Sequence, residues 1–327
     1  MTLANQRKLW KEAAMFGNSA KQWILGAALA AILLSPTLAG AQTNINLAVA
    51  SNFFGFPPSN SAITDIINAF EAENPGDTVT VVDNGATSTL EGRIIAGNAL
   101  GVDLFLAADT ETPLDLLTNH FDLVTTYNNS MTPPLYTFNY AQGILAFLTN
   151  SPWINVSCGP GGTCGYNPNI FSTVAIADPS VAPYGVAAQS VLTGRYGLAP
   201  PLSTNPKVVE YPNITATFNA VINRVNPVGF VAMSAICLHG SYPTPGNGTS
   251  ALAYFTIESS NTTPPVLINN YNPLTQAGIA VKNPNGRTPA QNTELEAFVA
   301  FLTDFTQPPT PDSPMMITLK KFCYSAP

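Results

Sequence analysis

Three times in this chain a short apolar run is cut off by a turn of small, uncharged, hydrogen-bonding residues that leads into a helix. The first run, Ile45 to Ala50, ends in Ser51-Asn52. Ile63, Ile66, Ile67 and Phe70 follow at the i, i+3, i+4, i+7 spacing of one buried helix face. The second runs from the β-branched stretch Thr78–Val82 through Asn84-Gly-Ala-Thr87-Ser88-Thr89 into a helix over Leu90–Ala96. The third runs from Val174–Ala177 through Asp178–Gly185, with Tyr184 in the turn, into a helix over Val186–Leu192. A further helix opens at Asn213-Ile214-Thr215, with Phe218, Val221 and Ile222 on its inner face. Such alternation builds an open α/β sheet, which binds ligands beyond the carboxyl ends of its strands. Helix starts carry N–H groups without intrahelical partners, and these favour anions. Ser, Thr and Asn there are also ordinary caps, so the residues alone allow both roles.

Between and after these units lie a buried strand at Val102–Ala107, with Asp103 and Asp109 at or near strand ends, and a helix around Pro113–Thr118. Tyr136–Phe138 and Gly143–Thr149 read as two strands joined by a hairpin-like break at Asn139–Gln142. A short strand is expected at Gly229–Ala232, and one at Ala251–Ile257 within a Gly/Pro/Thr-rich stretch. A strand at Ala277–Val281 and helices at Thr293–Leu302 and Met315–Phe322 close the chain. The first α/β pattern stops near Val124 and resumes near Ala277. With 327 residues there is material for about two domains. The expected division is a first lobe of 42–133 plus 272–327 and a second lobe of 134–271, with two crossings forming a hinge.

Residues 1–41 are expected to be a secretory leader. Arg7, Lys8, Lys11 and Lys21 are basic, Trp23–Leu34 is apolar but short for a membrane span, and Ala39-Gly40-Ala41 offers a cleavage site before Gln42. The mature chain is then exported, periplasmic or secreted, and not an integral membrane protein. The whole chain has a net charge of −7, and loss of the basic leader leaves it more acidic. That argues against nucleic acid as a partner. Charged residues are 9% of the chain, against about 25% in ordinary soluble proteins. Asn, Thr, Ser and Pro replace them, as in a protein adapted to an acidic exterior.

Export permits disulfides. Cys158 and Cys164 enclose a flexible Gly-Pro-Gly-Gly-Thr loop that closes easily, and Cys237 with Cys323 is the second pair by elimination. His120 and His239 do not stand at ligand spacing to a cysteine pair, so no metal site is expected. There is no Gly-x-Ser-x-Gly elbow, P-loop or zinc motif. Asp103 and Asp109 have no His or Lys nearby in sequence, and no enzyme activity or cofactor is expected.

Five ordered stretches carry a family resemblance: Ala48–Phe53; Asn84–Leu90 with Ile94–Gly97; Val102–Asp109; Ala175–Pro179 with Ala182–Gly185; and Asn213–Thr215 with Gly229–Ser234. In these the chain resembles the periplasmic molybdate-binding protein of ABC importers. The resemblance implies a two-lobed periplasmic-binding-protein-like α/β fold. Each lobe is a mixed sheet flanked by helices, and a tetrahedral oxyanion sits in the interlobe cleft on neutral donors. Carried over, Ser51 and Asn52 match the first-turn ligands and Thr87 the second-turn hydroxyl, with Ser88 its neighbour. Tyr184 and Ile214 match second-lobe positions where backbone N–H groups also serve. The implied ligand is molybdate or tungstate, the implied partner an ABC importer permease, and the implied state a monomer. Some members of that family place a tyrosine in the strand after the Asn213-type helix, where this chain has Ala232. The first turn is stretched over Phe54–Ser61, and the loops at 151–170 and 239–263 are long. Sulfate, thiosulfate or phosphate fits the same chemistry. An extracellular structural or interaction protein reusing the fold is the alternative from another class.

Overall fold

The computed structural model describes residues 43–55, 61–128, 132–151, 154, 156, 171–194, 196–237, 240, 250–254 and 271–327. The expected leader and the Cys158–Cys164 pair lie outside these residues.

Two five-stranded sheets share one design. The first holds β1 (Thr43–Ala50), β2 (Asp77–Gly85), β3 (Leu104–Leu106), β4 (Thr137–Gly143) and β10 (Leu274–Ala280), in the order β2-β1-β3-β10-β4. The second holds β5 (Leu145–Thr149), β6 (Val174–Ala177), β7 (Val208–Tyr211), β8 (Val228–Ala232) and β9 (Ser250–Tyr254), in the order β7-β6-β8-β5-β9. In each sheet the first three strands are parallel, and the fourth runs antiparallel to both its neighbours. This is the two-lobed mixed α/β architecture expected from the sequence.

Helices cover the sheets where the apolar periodicity places them. α1 (Ser51–Phe54) leads toward α2 (Ala62–Glu73), which buries Ile63, Ile66 and Phe70. Ser61 caps α2 by accepting the Thr64 N–H at 3.3 Å. α3 (Thr87–Ile95) and α4 (Glu111–Asn119) complete the first half. α5 (Pro183–Gly194) and α6 (Ile214–Ile222) belong to the second sheet. α7 (Pro289–Leu302) and α8 (Pro314–Lys321) return to the first, packing into the core around Ile45, Phe70 and Phe105's neighbours Leu104 and Leu106. α7 starts four residues earlier than expected, at a capping box of Thr288 and Gln291 with Pro289 in the first turn.

One expectation is corrected. Residues 136–149 are not a hairpin. β4 continues through Asn139–Gln142 and pairs with β10, whereas β5 pairs with β8 and β9 in the other sheet. The chain therefore changes sheets at Ile144. The polar residues read as a turn are the outward face of an edge strand: Asn139 is exposed between buried Phe138 and Tyr140.

Asp103 and Asp109 bond to backbone N–H groups, of Asn46 at 2.9 Å and Thr112 at 2.9 Å respectively. Two glutamates behave differently. Glu294 on α7 is 2% exposed; its Oε1 accepts the Thr78 N–H at 3.0 Å and its Oε2 has no hydrogen-bond partner among the described residues. Burial pushes its pKa up to about 7, hydrogen bonds from Thr43 and Thr78 oppose the rise, and Asp77 and Asp103 add to it. Glu91 on α3 has a buried Oε1 with no hydrogen-bond partner among the described residues, and its pKa is pushed up to about 7, by burial first and then by Asp115 and Asp109. A carboxyl whose folded pKa lies above its unfolded value stabilises the fold fully below the unfolded pKa, and loses that contribution as pH rises through the folded one. The window here is about pH 4.5 to 7. Glu294→Gln should therefore stabilise the protein at pH 7 relative to pH 4.5, by about 1–3 kcal/mol after allowance for solvent screening. Denaturant unfolding of both proteins at the two pH values checks this, and an unchanged difference between them would contradict it.

Candidate functional site

The four helix starts singled out by the sequence face one another. Ala50 and Ala86, just before α1 and α3, Ala108 just after β3, Ala182 just before α5, and Ile214 at the start of α6 pack in one buried cluster with Tyr184. Hydrogen bonds span the same gap between the sheets. The Ser88 N–H donates to the Val181 carbonyl (3.1 Å), the Thr215 hydroxyl to the Ser51 carbonyl (3.4 Å), and the Ser234 hydroxyl to the Asn52 carbonyl (3.3 Å).

The choice between cap and ligand can be examined turn by turn. α1 and α3 have alanine at the N-cap position and no side-chain cap. Ser51 is 4% exposed, and its hydroxyl makes no hydrogen bond among the described residues. Thr87 Oγ1 accepts the Ala108 N–H at 3.1 Å, so its one proton is left to donate elsewhere. At α6, Asn213 is a true cap and accepts the Ala216 N–H at 2.8 Å. The Ser88 main-chain N–H is already committed to Val181, and its side chain is half-buried. Ser51 and Thr87 are thus hydroxyls held at helix starts with a proton to give.

Behind them lies a neutral network that the sequence reading does not assign. Gln276 on β10 is fully buried, and its Oε1 accepts from Asn52 Nδ2 (3.1 Å) and from the Tyr140 hydroxyl (3.0 Å), which also reaches the Ala107 carbonyl (2.8 Å). With Oε1 so used, Gln276 Nε2 faces the Tyr184 hydroxyl at 3.5 Å. The Tyr184 oxygen is then an acceptor on that side, and its proton points elsewhere. Asn52 Nδ2 also donates to the Tyr324 hydroxyl (3.1 Å), which in turn donates to the Asn52 carbonyl (2.9 Å) beside Ser234 (3.0 Å). The Asn52 side chain is therefore turned into the protein. What it keeps at the helix start is its main-chain N–H.

Burial, then the neighbouring Tyr324, raises Tyr140 and Tyr184 well above the ordinary tyrosine pKa, and burial raises Tyr324 to about 12. All three stay protonated, so the network presents dipoles and O–H donors rather than charge. Asp109 acts on Tyr140 from the side, with its carboxylate tied to Thr112 through both N–H and hydroxyl. Of the residues missed in sequence, Gln276 leaves a trace as the lone amide inside the buried strand Leu274–Ala280. Tyr140 is hidden in the stretch read as a turn, and nothing local marks Tyr324.

Residues 45–305 match the family described as bacterial extracellular solute-binding protein. The chain is 30% identical over 204 residues to the molybdate-binding protein ModA of Azotobacter vinelandii, covering 62% of this chain and 70% of that protein. In fold it is similar to the periplasmic molybdate-binding protein of Azotobacter vinelandii, at a TM-score of 0.61 and 20% identity, over 86% of this chain and 99% of that one. It is also similar to the periplasmic binding protein AfuA of Actinobacillus pleuropneumoniae, solved with fructose-6-phosphate, at a TM-score of 0.54 and 13% identity over 86% and 83% of the two chains. Among the described residues no helix is long and apolar enough to cross a membrane. The family is one of binding proteins rather than enzymes, and with four-fifths of its length matched this chain belongs to the bacterial extracellular solute-binding proteins.

Proposed function

We propose that this protein captures a tetrahedral oxyanion, molybdate or tungstate, in the cleft between its lobes and delivers it as a monomer to an ABC importer permease. The first lobe in this reading is built on β1–β4 and β10, the second on β5–β9. Gly143–Leu145 forms one crossing between them, and with β10 the chain is again in the first. The carrying observation is the convergence of four helix starts around hydroxyls that have a proton to donate and no capping duty. Ser51 and Thr87 would donate through side chains, Tyr184 through its hydroxyl, and Asn52 and Ile214 through main-chain N–H groups. The 30% identical relative is a molybdate-binding protein, which favours the same ion class.

The chemistry suits a dianion. Taking it from water requires its lost hydrogen bonds to be replaced, and charge-assisted bonds of about 1.5–3 kcal/mol each do so in small number. Helix starts add fixed positive potential without a counter-cation. Neutral donors set at fixed positions also discriminate by radius, because a smaller ion leaves some of them stretched.

Ser51→Ala should weaken binding by about 1.5–3 kcal/mol, roughly ten- to a hundredfold, with little change in thermal stability because the hydroxyl caps nothing. Titration calorimetry with molybdate, tungstate and sulfate on both proteins tests the reading. Absence of binding by the wild type would overturn it, and unchanged affinity in the variant would remove Ser51 from the site.

A further inference from the structure

The C-terminal segment ties the two halves of the molecule together at one point. Phe322 and Tyr324 sit in the core of the first sheet, while Cys323 between them sits in a core cluster of the second, with Ala146, Val231 and Cys237. Cys323 is bonded to Cys237, their Cα atoms 5.9 Å apart and 86 residues apart in sequence. Cys323 has φ 55°, the left-handed turn that lets one side chain face away from its neighbours. Gly240 donates its N–H to the Lys321 carbonyl at 2.9 Å. A Cβ on Gly240 would meet the Lys320 carbonyl oxygen at 3.0 Å, so the close approach suits glycine.

The same segment touches the chain crossing and the candidate site. Ser325 and Gln142 exchange backbone hydrogen bonds at 2.8 and 3.1 Å, directly before the change of sheet at Ile144. Tyr324 joins Asn52 of the first half to Ser234 of the second. Three consecutive residues, Cys323, Tyr324 and Ser325, thus carry the disulfide, the tyrosine link and the backbone pair.

We propose that the Cys237–Cys323 disulfide is a covalent third connection beside the hinge, which limits how far the lobes open and so keeps the anion site assembled. The inference rests on the binding reading for its effect on affinity, and on geometry alone for its effect on opening. Two-lobed proteins open by rotation within a few crossing residues. A third connection at that edge removes open conformations from the ensemble and leaves the closed one untouched, which shifts the population toward closed. When only the closed form binds, affinity rises with its population.

The test is the variant Cys237→Ser/Cys323→Ser. Small-angle scattering without anion should give a larger radius of gyration than wild type, and saturating molybdate should restore the wild-type value. Calorimetry should show molybdate affinity reduced roughly five- to fiftyfold, the usual scale of coupling between a restraint and a site. Tyr324→Phe keeps the disulfide and removes only the hydroxyl link, so it should move both readouts the same way by less. If the serine variant does not fold, wild-type protein with its disulfide reduced takes its place. Identical anion-free scattering of the disulfide variant and wild type would overturn the latch, as would identical scattering of oxidised and reduced wild-type protein when the serine variant is unfolded. Binding of no oxyanion by any of the proteins would overturn the transport reading instead, while anion-free scattering still decides the latch.

Discussion

Gly143→Ala should cost this protein most of its anion affinity, about 2–4 kcal/mol or roughly thirty- to a thousandfold. Gly143 ends β4, opposite Leu274. A Cβ there would collide with the Tyr184 hydroxyl and lie 2.8 Å from Gln276 Nε2. Tyr184 is 2% exposed and packed within the cluster that joins the helix starts, so its ring has no free direction in which to yield. The substitution therefore moves the hydroxyl proposed to meet the anion and disturbs the amide that orients Asn52. Overpacking of this kind also destabilises by about 1–3 kcal/mol. The two effects separate in Gly143→Ala/Tyr184→Phe, where loss of the hydroxyl makes room for the methyl group. Stability should then return toward wild type while affinity stays low, a coupling that a double-mutant cycle measures. Calorimetry and thermal unfolding of the three variants give the answer. Wild-type affinity in Gly143→Ala would mean that the Tyr184 hydroxyl is not where the anion binds.

The second large effect is on stability, at Asp103→Ala. Asp103 is fully buried; Oδ2 accepts the Asn46 N–H at 2.9 Å, while Oδ1 faces Asn283 Nδ2 at 3.1 Å and Arg287 Nη1 at 3.5 Å. The Arg287 side chain is 7% exposed, and burial lowers its pKa against the opposing pull of Asp103. Removing the carboxylate leaves a buried guanidinium without its counter-charge and an N–H on β1 without its acceptor. Breaking such a pair from one side costs about 3–5 kcal/mol, whereas replacing both partners with apolar groups is milder. Asp103→Ala should therefore lower the unfolding free energy by about that amount, and Asp103→Ala/Arg287→Met by less. Denaturant unfolding decides: a loss under about 1 kcal/mol for the single variant would show that the pair is structurally idle.

Most elements could be read from the sequence because their buried faces repeat at the helical or strand period. Ile63, Ile66 and Phe70 mark α2, and Phe218 and Val221 lie on α6 close to the expected bounds. The failure at β4 has the same origin. An edge strand carries polar residues on its open side, and Asn139 and Gln142 look like a turn until β10 is known to lie beside them. For the candidate site, Ser51, Thr87, Tyr184 and Ile214 are visible because each stands where a strand gives way to a helix, and the topology brings those ends together. The supporting network is invisible for a different reason. Asn52 and Tyr324 are 272 residues apart, and Asn52 and Gln276 are 224 apart. No local spacing links them, and whether an Asn at a helix start faces ligand or scaffold depends on those distant partners.

The position of β10 in the first sheet bears on how the molecule is made. This strand, from near the C-terminus, is inserted between β3 and β4, so β4 has no partner on its inner edge until the chain is almost complete. Pairing across such separations is slow because loop closure precedes any gain from contact. The first sheet of this chain cannot close before residue 280 is available, so its last pairings wait for the end of synthesis. Cys323 lies later still, so its bond to Cys237 also belongs to that last stage.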